Sequence, residues 1–314
     1  MRGPSSLNGI HFTKTLLLPR FRSIFLWMKS PEIWVLEELN SILLGKHREV
    51  ELAFATLLAR GSLLIEDRPG FGKTTLAKGL AKTLELSFSR IQCTNDLLPM
   101  DILGRIEFRG DGRAEFHPGP IFASIVLLDE LNRAPARTQS AFLQAMEEGE
   151  VTVEGITTPL PKPQMFVATQ NPSDQVGTTL LPESELDRFT TRISIGAPDS
   201  ETEKRILLGQ RHEKNHAARL SPEECGLLQE RVEKVHVSDT LLEVVVRFLQ
   251  HARARGAMLS PRAGKDLIRM SRAIALLRGR DFATATDLNE VLIPVISHRI
   301  RNADEIARSF SFMA

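Results

Sequence analysis

Apolar residues along the chain change their spacing near residue 197. Before that point short apolar runs alternate with stretches of helical period; beyond it only the helical period remains. Between residues 31 and 60 apolar positions recur at helical spacing through Leu58. Ser30-Pro31-Glu32 reads as an N-terminal cap, and Gly45 divides the stretch into two helices. Leu63, Leu64 and Ile65 form a short apolar run bounded by turn signals, which predicts a buried strand. The segment TTLAKGLAKTL after Lys73 is helical. Residues 86–92 alternate apolar and polar and predict a second strand. Residues 125–128, 165–168 and 192–195 complete a five-strand α/β pattern with helical crossovers. One crossover helix begins near Pro135 and offers Phe142, Leu143 and Met146 to the core. Two hairpins interrupt the alternation. RIEFRGDGRAEFH turns at Gly110-Asp111-Gly112, and residues 151–160 turn at Glu154-Gly155. Past Gly196-Ala197-Pro198-Asp199, Ser221-Pro222-Glu223-Glu224 and Ser238-Asp239 mark helix starts. The expected division is an extension over residues 1–30, an α/β domain over 31–197 and a helical domain over 198–314.

Composition narrows this little. With 42% apolar and 25% charged residues the chain has an ordinary globular profile, and a net charge of +1 points to neither nucleic acid nor membrane. No apolar run approaches the roughly 18 residues that a membrane span requires. Cys93 and Cys225 lie far apart, without metal-ligand or CxxC spacing, and are expected as buried thiols of a cytoplasmic protein. Residues 1–30 are compositionally foreign: Arg2, Lys14, Arg20, Arg22 and Lys29 are basic and none is acidic. Pro19, Arg20 and Arg22 break any signal-peptide core, so the expectation is a disordered basic arm, or a start placed upstream of Met28.

The candidate chemistry begins at LLIEDRPGFGKTT. Strand, glycine-bearing loop and helix follow in the order that a phosphate-binding loop requires. Asp67, Arg68, Pro69, Gly70, Phe71, Gly72, Lys73, Thr74 and Thr75 would cradle nucleotide phosphates on backbone N–H groups and a helix N-terminus. Lys73 would reach the β- and γ-phosphates of ATP, and the Thr74 hydroxyl would ligate Mg²⁺. Asp67 stands where the usual G-x-x-x-x-G-K-S/T begins with Gly. It is expected to keep the turn because Asp tolerates the left-handed conformation. The run IVLLDE supplies the acidic site opposite: Asp129 to hold Mg²⁺ through water and Glu130 to polarise the attacking water. Plain loop charges are the alternative for that pair. FVATQNP ends another strand in Asn171, placed to orient the water or the γ-phosphate; a loop Asn before Pro is the bland reading.

Together RIQCTNDLLPMDILG, HPGPIFASIVLLDELNRAPARTQSAFLQAMEEGEVTVEG, FVATQNP, LPESELDRF and LSPRA resemble the MoxR group of AAA+ ATPases, over about residues 36 to 300. The resemblance implies an αβα sandwich with a five-stranded parallel sheet, an all-helical lid, and a homo-oligomeric, hexameric ring with ATP between subunits. It implies that Asn171 is the sensor-1 residue, that Arg188 is a finger reaching the neighbour's site, and that Arg262 is sensor 2 on the lid. It matches the hairpins to pore-lining elements. It further implies Mg²⁺-dependent ATP hydrolysis and chaperone-like remodelling of a client protein, with a von Willebrand factor A-domain partner. MoxR-like loops often carry an acid at the position of Asp67.

On the residues alone, Arg188 could instead pair with the adjacent Asp187. Arg262, Lys265, Arg269 and Arg272 share one helix face, of which only Arg262 is expected to reach ATP. The stretch 247–280 holds nine Lys or Arg and one acid, Asp266, which keeps a nucleic-acid contact open, although nucleic acid is not the expected partner. A DNA-handling AAA+ protein is an alternative because similar hairpins occur in helicase and magnesium-chelatase relatives. A non-hydrolysing nucleotide switch is the other alternative, and Glu130, Asn171 and Arg188 argue against it.

Overall fold

A computed structural model of the chain describes residues 30–108, 110, 114–171, 181–209 and 219–312. The basic extension, Arg109, Asp111, Gly112 and Arg113 of the first hairpin tip, and Pro172 lie outside the described residues. In chain order the elements are α1 (Pro31–Ile42), α2 (His47–Leu58), β1 (Leu63–Glu66), α3 (Lys73–Thr83), β2 (Phe88–Gln92) and α4 (Pro99–Leu103). The first hairpin, β3 (Gly104–Phe108) and β4 (Ala114–Pro118), comes next, then β5 (Ile125–Asp129) and α5 (Ala136–Glu148). The second hairpin, β6 (Glu150–Val153) and β7 (Ile156–Pro159), precedes β8 (Met165–Gln170), α6 (Glu183–Leu186) and β9 (Thr191–Ile193). The remainder is helical: α7 (Ser200–Leu207), α8 (Pro222–Lys234), α9 (Asp239–Ala254), α10 (Pro261–Leu277), α11 (Ala285–Ile296) and α12 (Ala303–Ser309).

Five parallel strands form one sheet in the order β2-β5-β8-β1-β9. The alternation of a strand's side chains sorts its apolar residues onto two faces. Leu63, Ile65, Ile125, Leu127, Met165 and Val167 join one core with α1, α2, α3 and the C-terminal helices. Leu64, Val126, Leu128, Phe166 and Ala168 join the other with Phe142 and Leu143 of α5. Each of these buried Val, Leu, Ile, Met and Phe side chains is worth about 1.5–3 kcal/mol relative to exposure. Phe142 meets Phe166 edge to face at 5.2 Å and fixes α5 against β8. This is an αβα sandwich with a five-stranded parallel sheet, followed by a helical domain, the lid. The turn at Glu154-Gly155 has positive φ at both residues, 48° and 84°, as a tight two-residue hairpin requires.

One helix start forms for a different reason than its sequence suggests. α1 begins at Pro31, but the Ser30 hydroxyl makes no cap hydrogen bond. The first turn is held instead by Glu32, buried and 3.1 Å from Arg231 of α8. Ser221 and Ser238 do cap α8 and α9, accepting from the backbone N–H of Glu224 and Leu241. Among the described residues no helix is long and apolar enough to cross a membrane.

The lid is stitched to the sheet by polar contacts as well as by the shared core. Gln229 of α8 donates to the Leu57 carbonyl at 2.8 Å. Arg192 of β9 donates to the Ser297 carbonyl, just past α11, at 3.0 Å. His298 places Nε2 2.8 Å from the Phe189 carbonyl, which makes that nitrogen the donor and leaves Nδ1 bare and buried. Burial, then the adjacent Arg299, push the His298 pKa down to about 3. The folded state therefore holds a neutral imidazole, whereas the unfolded chain takes up a proton as pH falls through about 6.5. Stability from this group is complete above pH 6.5 and is lost as pH falls from there towards 3. Between pH 7 and 5.5 the loss is roughly 1 kcal/mol. His298→Gln, which keeps a donor for Phe189, should lose less stability over that range than the native chain by about this amount. Chemical denaturation at the two pH values measures it, and equal losses would contradict the assignment.

Candidate functional site

The site lies at the carboxyl edge of the sheet, where β1, β5 and β8 run out. Between β1 and α3 the backbone takes positive φ at Gly70 (91°) and Gly72 (88°), conformations that side chains with Cβ rarely adopt. Those turns leave the loop wrapped around the start of α3. Lys73 is 9% exposed and donates to the Asp67 carbonyl at 2.7 Å. Desolvation lowers its pKa, against the opposing pull of Asp129, Asp67 and Glu130. Asp67 is not in the left-handed conformation expected of it. Its carboxylate instead accepts from Gly196 N–H at 2.6 Å, Ser194 Oγ at 3.3 Å and Arg68 N–H at 2.9 Å. An acid replaces the generic glycine here because it ties the loop to the segment leaving β9.

Opposite the loop, β5 delivers Asp129 and Glu130. Asp129 Oδ1 accepts from Thr169 Oγ1 at 2.8 Å, and Oδ2 from Arg90 at 3.0 and 2.5 Å. The Glu130 backbone is left-handed (φ 59°, ψ 51°), a conformation costing about 1–2 kcal/mol in a residue with Cβ. Its N–H is held by Thr169 Oγ1 at 2.9 Å, and Oε2 accepts from Arg133 at 2.9 Å and Gln92 at 3.4 Å. Thr169, Arg90 and Gln92 are thus parts of the site that the sequence reading missed. Their signal was position. Arg90 and Gln92 stand on the strand paired with β5, Gln92 directly beside Asp129, and Thr169 lies near the end of β8.

Pro69, Gly70, Gly72, Lys73, Thr74, Thr75, Arg90, Gln92, Asp129 and Glu130 line one cavity of about 370 Å³. Backbone amides and an ammonium face anionic oxygens there, and a hydroxyl and carboxylates suit a hard cation, so the donor set fits a nucleotide phosphate chain with Mg²⁺. Asn171 directly follows β8, the strand between β5 and β1, and so emerges between the carboxylates and the loop.

Arg188 and Arg262 are absent from that lining. Arg188 Nε lies 3.3 Å from Glu147 Oε2, not against Asp187, and Arg262 donates to the other oxygen of the same Glu147. Arg262 Nη1 is also 3.8 Å from Asp187. Two arginines from separate elements therefore converge on one carboxylate at the end of α5, outside the phosphate cavity. Part of the basic stretch is likewise engaged: Arg278 with Glu290 at 2.5 Å, Arg280 with Asp287 at 2.5 Å, and Arg253 with the Leu259 carbonyl at 3.0 Å. Lys265 and Arg269 are exposed, Arg269 lying 4.0 Å from Asp266. Cys93 and Cys225 are buried, and burial pushes both thiols up to about 12, which leaves them unreactive.

Comparison with known proteins agrees with this geometry. Residues 62–191 match the sequence model of the ATPase family associated with various cellular activities, and residues 249–310 match the AAA lid domain. The uncharacterized protein YeaC of Bacillus subtilis is 39% identical over 273 residues, covering 84% of this chain and 85% of its own. Chaperone MoxR1 of Mycobacterium tuberculosis is 38% identical over 280 residues, covering 84% and 74%. The crystal structure of an ATPase candidate from Cytophaga hutchinsonii superposes with a TM-score of 0.77 at 32% identity, covering 88% of this chain and 89% of that one. The two matched models and relatives of this identity and coverage, in agreement with a loop that faces two carboxylates at the sheet edge, show that the chain belongs to the AAA ATPase family.

Proposed function

We propose that the protein is a Mg²⁺-dependent ATPase of the MoxR type that assembles as a ring and remodels client proteins. The observation that carries this reading is the separation of the site into two parts. Lys73, Thr74, Asp129 and Glu130 converge in one cavity, while Arg188 and Arg262 converge on Glu147 outside it. A single chain thus offers a nucleotide site and, elsewhere, an arginine pair suited to the phosphates of a neighbour. The relatives named MoxR, one of them called a chaperone, support the narrower placement. A hexamer, a von Willebrand factor A-domain partner and a client follow from the same resemblance.

In this reading Lys73 leaves the Asp67 carbonyl and neutralises the β- and γ-phosphate oxygens of ATP. Thr74, and Asp129 through water, would hold Mg²⁺, which would offset the charge on the transferred phosphoryl group. Glu130 takes the proton of the attacking water, and Asn171 orients that water. The neighbour's Arg188, joined by Arg262, stabilises charge that develops during transfer, an effect worth about 10³–10⁵ in rate. Arg278 and Arg280 of the basic stretch are paired with Glu290 and Asp287, which favours the ATPase reading over a DNA-handling one.

Lys73→Ala should weaken nucleotide binding by about 100-fold, the loss of a charged hydrogen-bond donor. Glu130→Gln should bind ATP normally and turn over about 10²–10⁴ times more slowly. Equal loss of binding in both variants would contradict the separate roles. Thr169→Val removes the hydroxyl shared by Asp129 and Glu130, leaving a buried acceptor and donor unpaired. It should cost roughly 1–3 kcal/mol of stability, seen in denaturation, and slow turnover while Mg²⁺-free nucleotide affinity holds. Finally, Arg188→Ala and Glu130→Gln chains, each inactive alone, should regain turnover when mixed under demonstrated subunit exchange. No gain at any mixing ratio would show that Arg188 does not act between subunits.

A further inference from the structure

Arg299 lies just past α11, is 7% exposed, and has no part in the phosphate cavity. Its Nη2 donates to the carbonyls of Phe189 at 2.7 Å and Asp187 at 3.1 Å, the residues on either side of Arg188. The same nitrogen meets Asp266 Oδ2 of α10 at 2.6 Å, Nε lies 2.9 Å from Asp187 Oδ1, and Nη1 donates to Val295 at 2.8 Å. One guanidinium from the lid therefore brackets the backbone of Arg188 and holds the neighbouring carboxylate. That carboxylate in turn accepts from Ser260 Oγ, the N-cap of α10, at 2.9 and 3.1 Å, and lies 3.8 Å from Arg262. The segment carrying Arg188 and the helix carrying Arg262 are thus joined through Asp187 and Arg299. The outward result is the convergence of both arginines on Glu147.

We infer that Arg299 is a positioning residue: it couples the lid of its own subunit to the arginine pair that the subunit offers to its neighbour. The inference rests on the proposed action of Arg188 between subunits. Its physical basis is the planar fork of arginine, which satisfies several acceptors in fixed directions; an ammonium cannot bracket two carbonyls and two carboxylates in the same way. A shift of α10 and α11 would move Asp187 and Phe189 with it, and so change the reach of Arg188 without touching the subunit's own Lys73 or Glu130. Arg299 would then act on the neighbour's reaction rather than on its own subunit's.

Arg299→Lys tests this, because it keeps a positive charge for buried Asp266. Arg299→Met with Asp266→Leu is the second variant, since it removes the buried pair without orphaning a carboxylate. Each should bind ATP as the native chain does and turn over at least about tenfold more slowly, the usual scale for a misplaced catalytic group. Mixed with Glu130→Gln chains, each should give turnover well above the mean of its parents, because the Glu130→Gln neighbour supplies a well-placed arginine. Mixed with Arg188→Ala chains, each should give no gain, because both carry the same defect. Unchanged turnover, a gain with Arg188→Ala but not with Glu130→Gln, or a gain with neither would overturn the inference. Loss of folding in both variants would do the same by making Arg299 purely structural. The Arg188→Ala and Glu130→Gln mixture is the control. If it shows no gain, the shared-site reading fails and this inference with it. If it shows a gain and the Arg299 mixtures do not, only this inference fails.

Discussion

Lys73 is 9% exposed, and its ammonium is answered by a backbone carbonyl rather than by a carboxylate. Burying a charge in this way is costly unless something opposite in sign takes it up. Asp129, Asp67 and Glu130 are the acids near enough to favour the charged form, and burial works against them. The arrangement of the sheet edge follows from that balance. β1 must end where the loop can turn, so Gly70 and Gly72 adopt left-handed backbone. β5 must end opposite, so Asp129 arrives on a strand buried along its length. β8 lies between them and supplies Thr169, whose hydroxyl donates to Asp129 and accepts from the Glu130 amide. The ammonium and the backbone amides of the loop together suit an anionic ligand, which is why the site reads as one for phosphate.

A second charge problem has been solved differently. Arg188 and Arg262 are held by Glu147, itself partly exposed, where an ion pair contributes little to stability. Arg299, by contrast, is buried against Asp266 and Asp187 with several backbone carbonyls, an arrangement that fixes geometry rather than adding stability. The rigid part of the arrangement lies inside, and the two arginines it presents remain at the surface. That division suits groups that must change partners.

Much of the fold was legible because the core imposes its period on the sequence. The short runs at Leu63–Glu66, Ile125–Asp129 and Met165–Gln170 are buried strands, as apolar stretches flanked by turn residues suggest. The phosphate loop was legible because glycine, lysine and threonine there have few substitutes. What escaped depended on residues brought together from afar. Arg90, Gln92 and Thr169 look like the polar half of strand alternation until β2 and β8 are paired with β5. Asp67 was expected to serve through its backbone, yet it serves through its carboxylate, bonded to Gly196 well over a hundred residues away. Adjacency offered Asp187 as the local alternative partner of Arg188, yet its guanidinium pairs with Glu147. Ser30 had the form of a cap, and an ion pair between buried Glu32 and half-exposed Arg231 of α8 does the work in its place. Local chemistry predicted elements, and only the tertiary pairing revealed which polar ends meet.

The central claim is that a complete catalytic site needs two chains. ATP turnover per chain, measured across a wide range of protein concentration alongside the oligomeric state at each, tests it most directly. The account predicts that turnover per chain falls on dilution in step with dissociation, while isolated chains still bind nucleotide. Turnover per chain that stays constant into the range where the protein is monomeric would contradict it.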